Sequence, residues 1–158
     1  MRLYDLPRDE LLVRAAPEIC LEVISSAGHT LERLSDGSRL VEFESALGRK
    51  RIRTKELVRI HESGRIDYRW IEGPLPAVEE TITLEQADGG TTLRYEGRFG
   101  VRVPRLIRPL ARRYIAKRFA RAVHAHLLQA KEIAEGRAHR SHLYPQPRDG
   151  NDPTEATG

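Results

Sequence analysis

The sequence of 158 residues contains one cysteine, few aromatic residues and no long apolar run. The lone cysteine, Cys20, excludes an internal disulfide and offers no paired-cysteine spacing for a metal. No run approaches the ~20 apolar residues of a membrane span, and the first residues lack the apolar segment of a signal peptide. We therefore expect a soluble, cytoplasmic protein without a metal site.

Common catalytic signatures are missing as well. The sequence has no glycine-rich phosphate loop, no serine nucleophile elbow and no HExxH zinc pattern. It therefore gives little support to those chemistries, and we expect no cofactor. The length predicts one domain that is large enough to bury a core.

Acidic residues are absent between Glu96 and Glu132, although the whole chain has 27 basic and 23 acidic residues. Basic residues are frequent in the same stretch, so the positive charge is local. It can be a solvated helix face or a surface for an anionic membrane, with nucleic acid the least favoured partner because the strands offer no exposed aromatic platform. The candidate surface residues are Arg105, Arg108, Arg113, Lys117 and Arg121.

Residues 103–135 have the pattern of one long amphipathic helix. From Ile107 onward, apolar residues recur at helical spacing, and His126 falls within the apolar stripe. Pro109 suits the first turn, and an earlier start near Pro104 with a kink at Pro109 is equally allowed. Gly136 suits a C-terminal stop. We therefore expect this helix to cover a sheet formed by the preceding residues.

The remaining segments predict a domain at residues 10–136, between a flexible lead-in at residues 1–9 and a disordered tail at residues 137–158. Residues 11–15 and 29–34 are strand candidates, and a short helix is expected to begin at Ala16-Pro17-Glu18. The tail is rich in proline and polar residues, which is typical of disorder.

Three hairpins can be registered, because each turn must keep the apolar side chains on one face of the sheet. The turns are Gly48-Arg49, Glu62-Ser63-Gly64 and Asp88-Gly89. They predict the inner pairs Phe43 with Thr54, Val58 with Tyr68, and Ile82 with Tyr95. The longer loop at residues 73–76 constrains its strands less, and continuing the same inner face sets Trp70 beside Glu80 and Tyr68 beside Ile82. Glu56, Trp70 and Glu80 would then share one row.

The Ala-Pro-Glu helix start, the strand meander, the Gly-Gly-Thr-Thr-Leu-Arg-Tyr segment at residues 89–95 and the long last helix together resemble the START-like, helix-grip superfamily. Within it, the chain resembles the polyketide cyclase/dehydrase and lipid transport (SRPBCC) group. The resemblance implies an α+β fold, in which a curved antiparallel meander wraps around one long C-terminal helix beside a short N-terminal helix. It also implies an apolar ligand between sheet and helix. Residues 25–28 leave no room for the second helix that members commonly place there, so one wall of the pocket would be thin.

Positions on the inner face of the sheet should be apolar, so a polar residue at such a position is a candidate functional residue. Glu56, Glu80 and His126 are the candidate catalytic residues, with Arg112 and Arg118 as available partners for the carboxylates. A purely structural pairing of these groups is the alternative. The expected ligand-binding residues are Phe43, Thr54, Glu56, Tyr68, Trp70, Glu80, Ile82, Tyr95, Phe99, Arg112, Ile115, Phe119 and His126.

These features favour binding or carriage of a small hydrophobic molecule, such as a lipid, a quinone or a polyketide-like compound. A cyclase or aromatase that moves protons with Glu56, Glu80 or His126 is the second hypothesis. Binding to an anionic membrane or to a partner through the arginine-rich helix face is the third. The sequence favours binding over catalysis, and it predicts no oligomeric state.

Overall fold

Eight strands and two helices are seen in a computed structural model that describes residues 1–47 and 49–143. In chain order the elements are β1 (Leu3–Asp5), β2 (Asp9–Val13), α1 (Pro17–Ser25), β3 (His29–Arg33), β4 (Arg39–Leu47), β5 (Lys50–Ile60), β6 (Arg65–Glu72), β7 (Ala77–Ala87), β8 (Gly90–Gly100) and α2 (Arg108–Leu143).

The strands form one curved antiparallel sheet in the order β1-β8-β7-β6-β5-β4-β3, and β2 also pairs with β8. Strand β1 lies beside the C-terminal end of β8, and β2 lies beside its N-terminal part. One face of the sheet packs against α2, which supplies Leu127 and Ala134 to the core. The other face carries ion pairs such as Arg98 with Glu79. This is the predicted α+β arrangement, and the prediction is confirmed.

The registers predicted from the turns are correct. The structure pairs Phe43 with Thr54, Val58 with Tyr68, and Ile82 with Tyr95. The type of the first predicted turn is not addressed, because Gly48 lies outside the described residues. The agreement follows from the two-residue alternation of a strand, since a slip by one residue would turn every apolar side chain outward.

The register predicted between β6 and β7 is wrong by two residues. Tyr68 pairs with Glu80, and Ile66 pairs with Ile82. A shift of two residues keeps the same side chains on the inner face, so alternation could not distinguish the two registers. Glu56 still lies opposite Trp70, but Glu80 belongs to the neighbouring row, opposite Tyr68 and Gly97.

Helix α2 begins at Arg108, with Pro109 in its first turn, which is one of the two predicted starts, but it does not stop at Gly136. It continues to Leu143, and beyond Gly136 the partly exposed side chain of Arg137 lies 3.4 Å from Glu22 of α1 and Ala138 packs on the core. A glycine inside a helix costs about 1 kcal/mol, and contacts of this kind act against that cost. The predicted tail is therefore wrong for residues 137–143, and residues 144–158 lie outside the described part of the chain.

Residues 1–9 are not the flexible lead-in that the sequence predicted. Strand β1 is paired along β8, and Tyr4 and Leu6 are buried in the core. The Leu6 N–H group also donates to the Gly97 carbonyl at 2.8 Å. Apolar side chains at positions 4 and 6, both directed into the core, are what hold this short segment on the sheet.

Candidate functional site

The inner face of the sheet is not covered evenly by α2. Val58, Ile66, Leu84 and Leu93 on this face are buried. Several of their neighbours in the centre of the sheet are only half-buried, although they also face α2. We call the central set of sheet residues, together with Phe119 of α2, the inner cluster, and its members are Phe43, Thr54, Glu56, Tyr68, Trp70, Glu80, Ile82, Tyr95 and Phe119. Thr54, Glu56 and Tyr95 are buried, and the other members are half-buried.

Glu56 is the most buried carboxyl group of the inner cluster, with 7% of its surface exposed. The Thr54 hydroxyl donates a hydrogen bond to its Oε1 atom at 2.6 Å. Burial raises the pKa of Glu56 to about 7, the Thr54 hydrogen bond opposes that shift, and the nearby charge of Glu80 adds to it. Glu56 can therefore exist in both protonation states near neutral pH.

Glu80 lies one row away and has a different partner. The Tyr95 hydroxyl donates a hydrogen bond to Glu80 Oε1 at 2.7 Å. Burial raises the pKa of Glu80, whereas the Tyr95 hydrogen bond and the nearby Trp70 N–H group lower it. The pKa of Tyr95 is raised in turn by burial and by the charge of Glu80, so Tyr95 remains the proton donor.

Gly97 makes the contact between Tyr95 and Glu80 possible. It lies opposite Glu80 on β8, two residues beyond Tyr95. A Cβ atom at position 97 would lie 2.7 Å from the Tyr95 hydroxyl oxygen and 2.8 Å from Leu6 Cδ1. The absent side chain therefore leaves the space through which the tyrosine reaches along the strand to Glu80.

Trp70 closes one side of the inner cluster. Its ring centroid lies 5.6 Å from that of Phe119 on α2, and Gly73 approaches its ring so closely that a Cβ atom there would lie 2.6 Å away. The Trp70 Nε1 atom is buried and makes no hydrogen bond of normal geometry within the described residues. A buried donor without a full partner is available to a ligand acceptor.

A pocket of about 400 Å³ adjoins this side of the cluster. It is lined by residues 73–76, Val101, Arg102, Val103 and Ile115. Gly73 touches Trp70, and Ile115 is one helical turn from Phe119, so the pocket leads towards the aromatic pair. A second pocket, of about 340 Å³, lies on the outer face among Arg65, Asp67, Glu79 and Arg98, whose charges already pair with one another.

No protein-family model matches the chain, and no curated protein matches it. Several solved structures do match the chain in fold. A protein from Thermus thermophilus aligns over 85% of this chain and 99% of its own, with 16% identity and a TM-score of 0.74. The aromatase/cyclase Zhui from Streptomyces sp. R1128 aligns over 89% and 96%, with 14% identity and a TM-score of 0.66. A START superfamily protein from Mycobacterium smegmatis aligns over 87% and 99%, with 16% identity and a TM-score of 0.60.

The chain has the START-like, helix-grip fold. The predicted superfamily fold is confirmed. The chain also aligns with the di-domain ARO/CYC protein StfQ of the steffimycin biosynthetic pathway, over 87% of its own length but only 52% of StfQ, with 18% identity and a TM-score of 0.72. Identities this low concern the fold alone.

Within this helix-grip fold, most of the predicted ligand-binding residues come together. Phe43, Thr54, Glu56, Tyr68, Trp70, Glu80, Ile82, Tyr95 and Phe119 form the inner cluster. Ile115 lines the adjoining pocket. Phe99 is completely buried beside Tyr4, and it is a core residue of the helix-grip sheet.

His126 and Arg112 do not lie where the sequence predicted. His126 is exposed, because the buried line of α2 passes through Leu127 and Ala134 and leaves position 126 at its edge. Partial burial still lowers the pKa of its imidazole. Arg112 is exposed, and its guanidinium group lies 4.6 Å from the centre of the Tyr4 ring. Among residues 1–47 and 49–143, no basic side chain forms an ion pair with Glu56 or Glu80, so the expected Arg112 and Arg118 partners are absent there.

Sequence reasoning missed the partners of these carboxyl groups. The signal for Tyr95 was Gly97, since an isolated glycine inside a strand often marks a close approach. Arg108 was placed on the basic surface, but it is half-buried and its Nε atom is buried without a partner among the described residues. Helical periodicity alone does not fix the rotation of α2 to the accuracy that this position needs.

Proposed function

We propose that this chain binds a small, uncharged hydrophobic molecule in the inner cluster. The observation that carries the proposal is the pair Glu56 and Glu80, two carboxyl groups that face an aromatic and aliphatic surface without a cation among the described residues. Burying a carboxyl group costs free energy, so a folded protein keeps one only where another interaction offsets that cost. A ligand that accepts or donates hydrogen bonds at one polar end would offset it.

The chemistry of the cluster favours a neutral ligand over an anionic one. Glu56 has a pKa of about 7, so its protonated form can donate a hydrogen bond to a carbonyl oxygen. When ionised, Glu56 and Glu80 would repel a carboxylate or a phosphate. The half-buried faces of Tyr68 and Trp70 suit the remainder of an aliphatic or ring compound. A lipid, a quinone or a polyketide-like compound with carbonyl or hydroxyl groups meets these requirements.

The comparisons lend support at the level of the fold. The neighbours in structure include a START superfamily protein and aromatase/cyclases. The pocket beside Trp70 lies between α2 and the loops that follow β6 and β8. The short connection between α1 and β3 fits an open site. We also propose a cytoplasmic location, which rests on the single, buried Cys20.

Native mass spectrometry of gently purified protein, followed by organic extraction, tests the proposal. We expect a stoichiometric apolar adduct that is lost on denaturation. Ile82→Gln should lose the adduct, whereas Ile60→Gln, at an exposed position, should retain it. A bare wild-type protein that also takes up no neutral apolar probe would contradict the proposal.

Catalysis of the cyclase type is the second candidate. The specific observation in its favour is that burial raises the pKa values of both Glu56 and Glu80, as proton-transfer groups require. On a poly-carbonyl substrate, Glu56→Gln and Glu80→Gln should each abolish turnover and leave binding intact. His126→Ala and Glu62→Gln, both at exposed positions, are the controls. Full activity in both the Glu56→Gln and the Glu80→Gln variants would exclude proton transfer by these residues.

A further inference from the structure

The start of α2 and the turn before it expose large apolar side chains. Leu106 is 94% exposed and Leu110 is 74% exposed, and Ile107 and Tyr114 are also exposed. Ile107, Leu110 and Tyr114 recur at helical spacing on the side of the helix opposite its buried line. We call these four residues the apolar tip. Exposure of each of these side chains to water costs free energy, and a cluster of them indicates an interaction surface.

Six basic residues lie within or close to the segment that carries the apolar tip, and Arg118 lies over the Tyr114 ring. The six are Arg102, Arg105, Arg113, Lys117, Arg118 and Arg121. Among the residues that the structure describes, none of the six forms an ion pair, although basic residues elsewhere commonly do, such as Arg94 with Glu10 and Arg98 with Glu79. The sequence explains the difference, because no acid occurs between Glu96 and Glu132.

We propose that the apolar tip and its cations dock on the surface of an anionic lipid bilayer. An interfacial site needs apolar groups that reach into the acyl region and cations at the level of the headgroups. The tip supplies the first, since Leu106 and Leu110 are its most exposed side chains. The nearby arginines supply the second, and long side chains can spread over several headgroups. Docking is peripheral, because no helix in the described ranges is long and apolar enough to cross a bilayer.

The pocket beside Trp70 lies close to the apolar tip along the chain. Arg102 and Val103 line that pocket shortly before Leu106, and Ile115 lines it from the residue after Tyr114. A bilayer against the tip would therefore lie near the pocket without covering the inner cluster. The docking surface itself lies outside the inner cluster, so membrane binding and ligand binding can fail independently.

Co-sedimentation with vesicles tests the proposal on the full chain. Vesicles of equal parts phosphatidylcholine and phosphatidylglycerol should bind the protein, and pure phosphatidylcholine vesicles should not. Binding should weaken as salt is raised, because screening reduces the attraction of the arginines for the headgroups. Leu106→Ser with Leu110→Ser should lower the partition coefficient by about tenfold or more, since both side chains lose apolar contact.

Matched variants separate this face from general effects of charge and hydrophobicity. Leu128→Ser removes an exposed leucine from the same helix, and Arg140→Glu reverses an exposed charge near its other end. Both should bind as the wild type does. Arg113→Glu with Arg121→Glu should reduce binding by about tenfold or more. No binding to the anionic vesicles overturns the proposal and leaves an acidic protein as the partner. Equal binding by the Leu106→Ser, Leu110→Ser variant also overturns it.

Discussion

The Tyr95 hydroxyl reaches past Gly97 to donate a 2.7 Å hydrogen bond to Glu80, a carboxyl group on the neighbouring strand. This contact ties the polar end of the inner cluster to the centre of the sheet. Because Glu80 lacks an ion-pair partner among the described residues, the tyrosine supplies the hydrogen bond that its burial requires.

Tyr95→Phe should therefore destabilise the protein by about 1–3 kcal/mol, since it leaves a buried carboxyl oxygen without its donor. Urea unfolding measures the effect. Tyr114→Phe is the matched control, because the Tyr114 side chain is exposed, and its unfolding free energy should not change. If both variants unfold at the wild-type midpoint, the hydrogen bond contributes nothing to stability.

The raised pKa of Glu56 predicts how stability depends on pH. Its pKa rises from 4.5 to about 7 on folding, so the folded state binds more protons between these values and stability falls as pH increases through this window. The loss amounts to about 3 kcal/mol above pH 7 and is absent below pH 4.5. Ionised Glu56 therefore lowers the free energy of unfolding when no ligand is bound.

Glu56→Gln should remove this destabilisation and keep an oxygen that accepts the hydrogen bond from the Thr54 hydroxyl. The variant should be more stable than the wild type above pH 7, and the difference should disappear in acid. Unfolding free energies measured across this range check the prediction, with Glu62→Gln at an exposed position as the control. A Glu56→Gln difference that is the same at all pH values would mean that the carboxyl group titrates normally.

Leu127 and Leu128 test the rotation of α2. Leu127 is 3% exposed and Leu128 is 44% exposed, although they are neighbours in the chain. Leu127→Ala should cost about 2–4 kcal/mol of unfolding free energy because it leaves a cavity under the helix. Leu128→Ala should change it by less than about 0.5 kcal/mol. Thermal or urea unfolding of the two variants would reveal a wrong helix rotation if the order were reversed.

The sequence predicted the sheet well wherever a short turn fixed the register. Asp88-Gly89 could close only one hairpin that kept Leu84 and Leu93 inside, and the structure has that pairing. At residues 73–76 the turn was longer, and two registers two residues apart buried the same side chains. Glu80 was therefore assigned to the correct face but to the wrong row.

Prediction was poorer where tertiary contacts override local signals. Gly136 is a common helix stop, but α2 continues through it, and beyond it Arg137 pairs with Glu22 and Ala138 packs on the core. His126 was predicted to lie within the apolar stripe. The observed rotation of α2 differs from the predicted one by a fraction of a turn, so His126 lies at the exposed edge. Periodicity predicts on which face of a helix or strand a residue lies. The side chain that it contacts depends on the packing of the whole fold.

Trp70 is the only tryptophan of the chain, and it lies in the inner cluster against Phe119, so its fluorescence reports on the proposed binding site. The most direct test is to titrate the protein with N-phenyl-1-naphthylamine, a neutral apolar probe whose fluorescence rises in apolar surroundings. We predict saturable quenching of Trp70 with a matching rise in probe emission, lost in Ile82→Gln and retained in the Leu106→Ser, Leu110→Ser variant. A folded wild-type protein whose Trp70 emission does not respond to the probe, or responds equally in Ile82→Gln, would contradict a ligand site in the inner cluster.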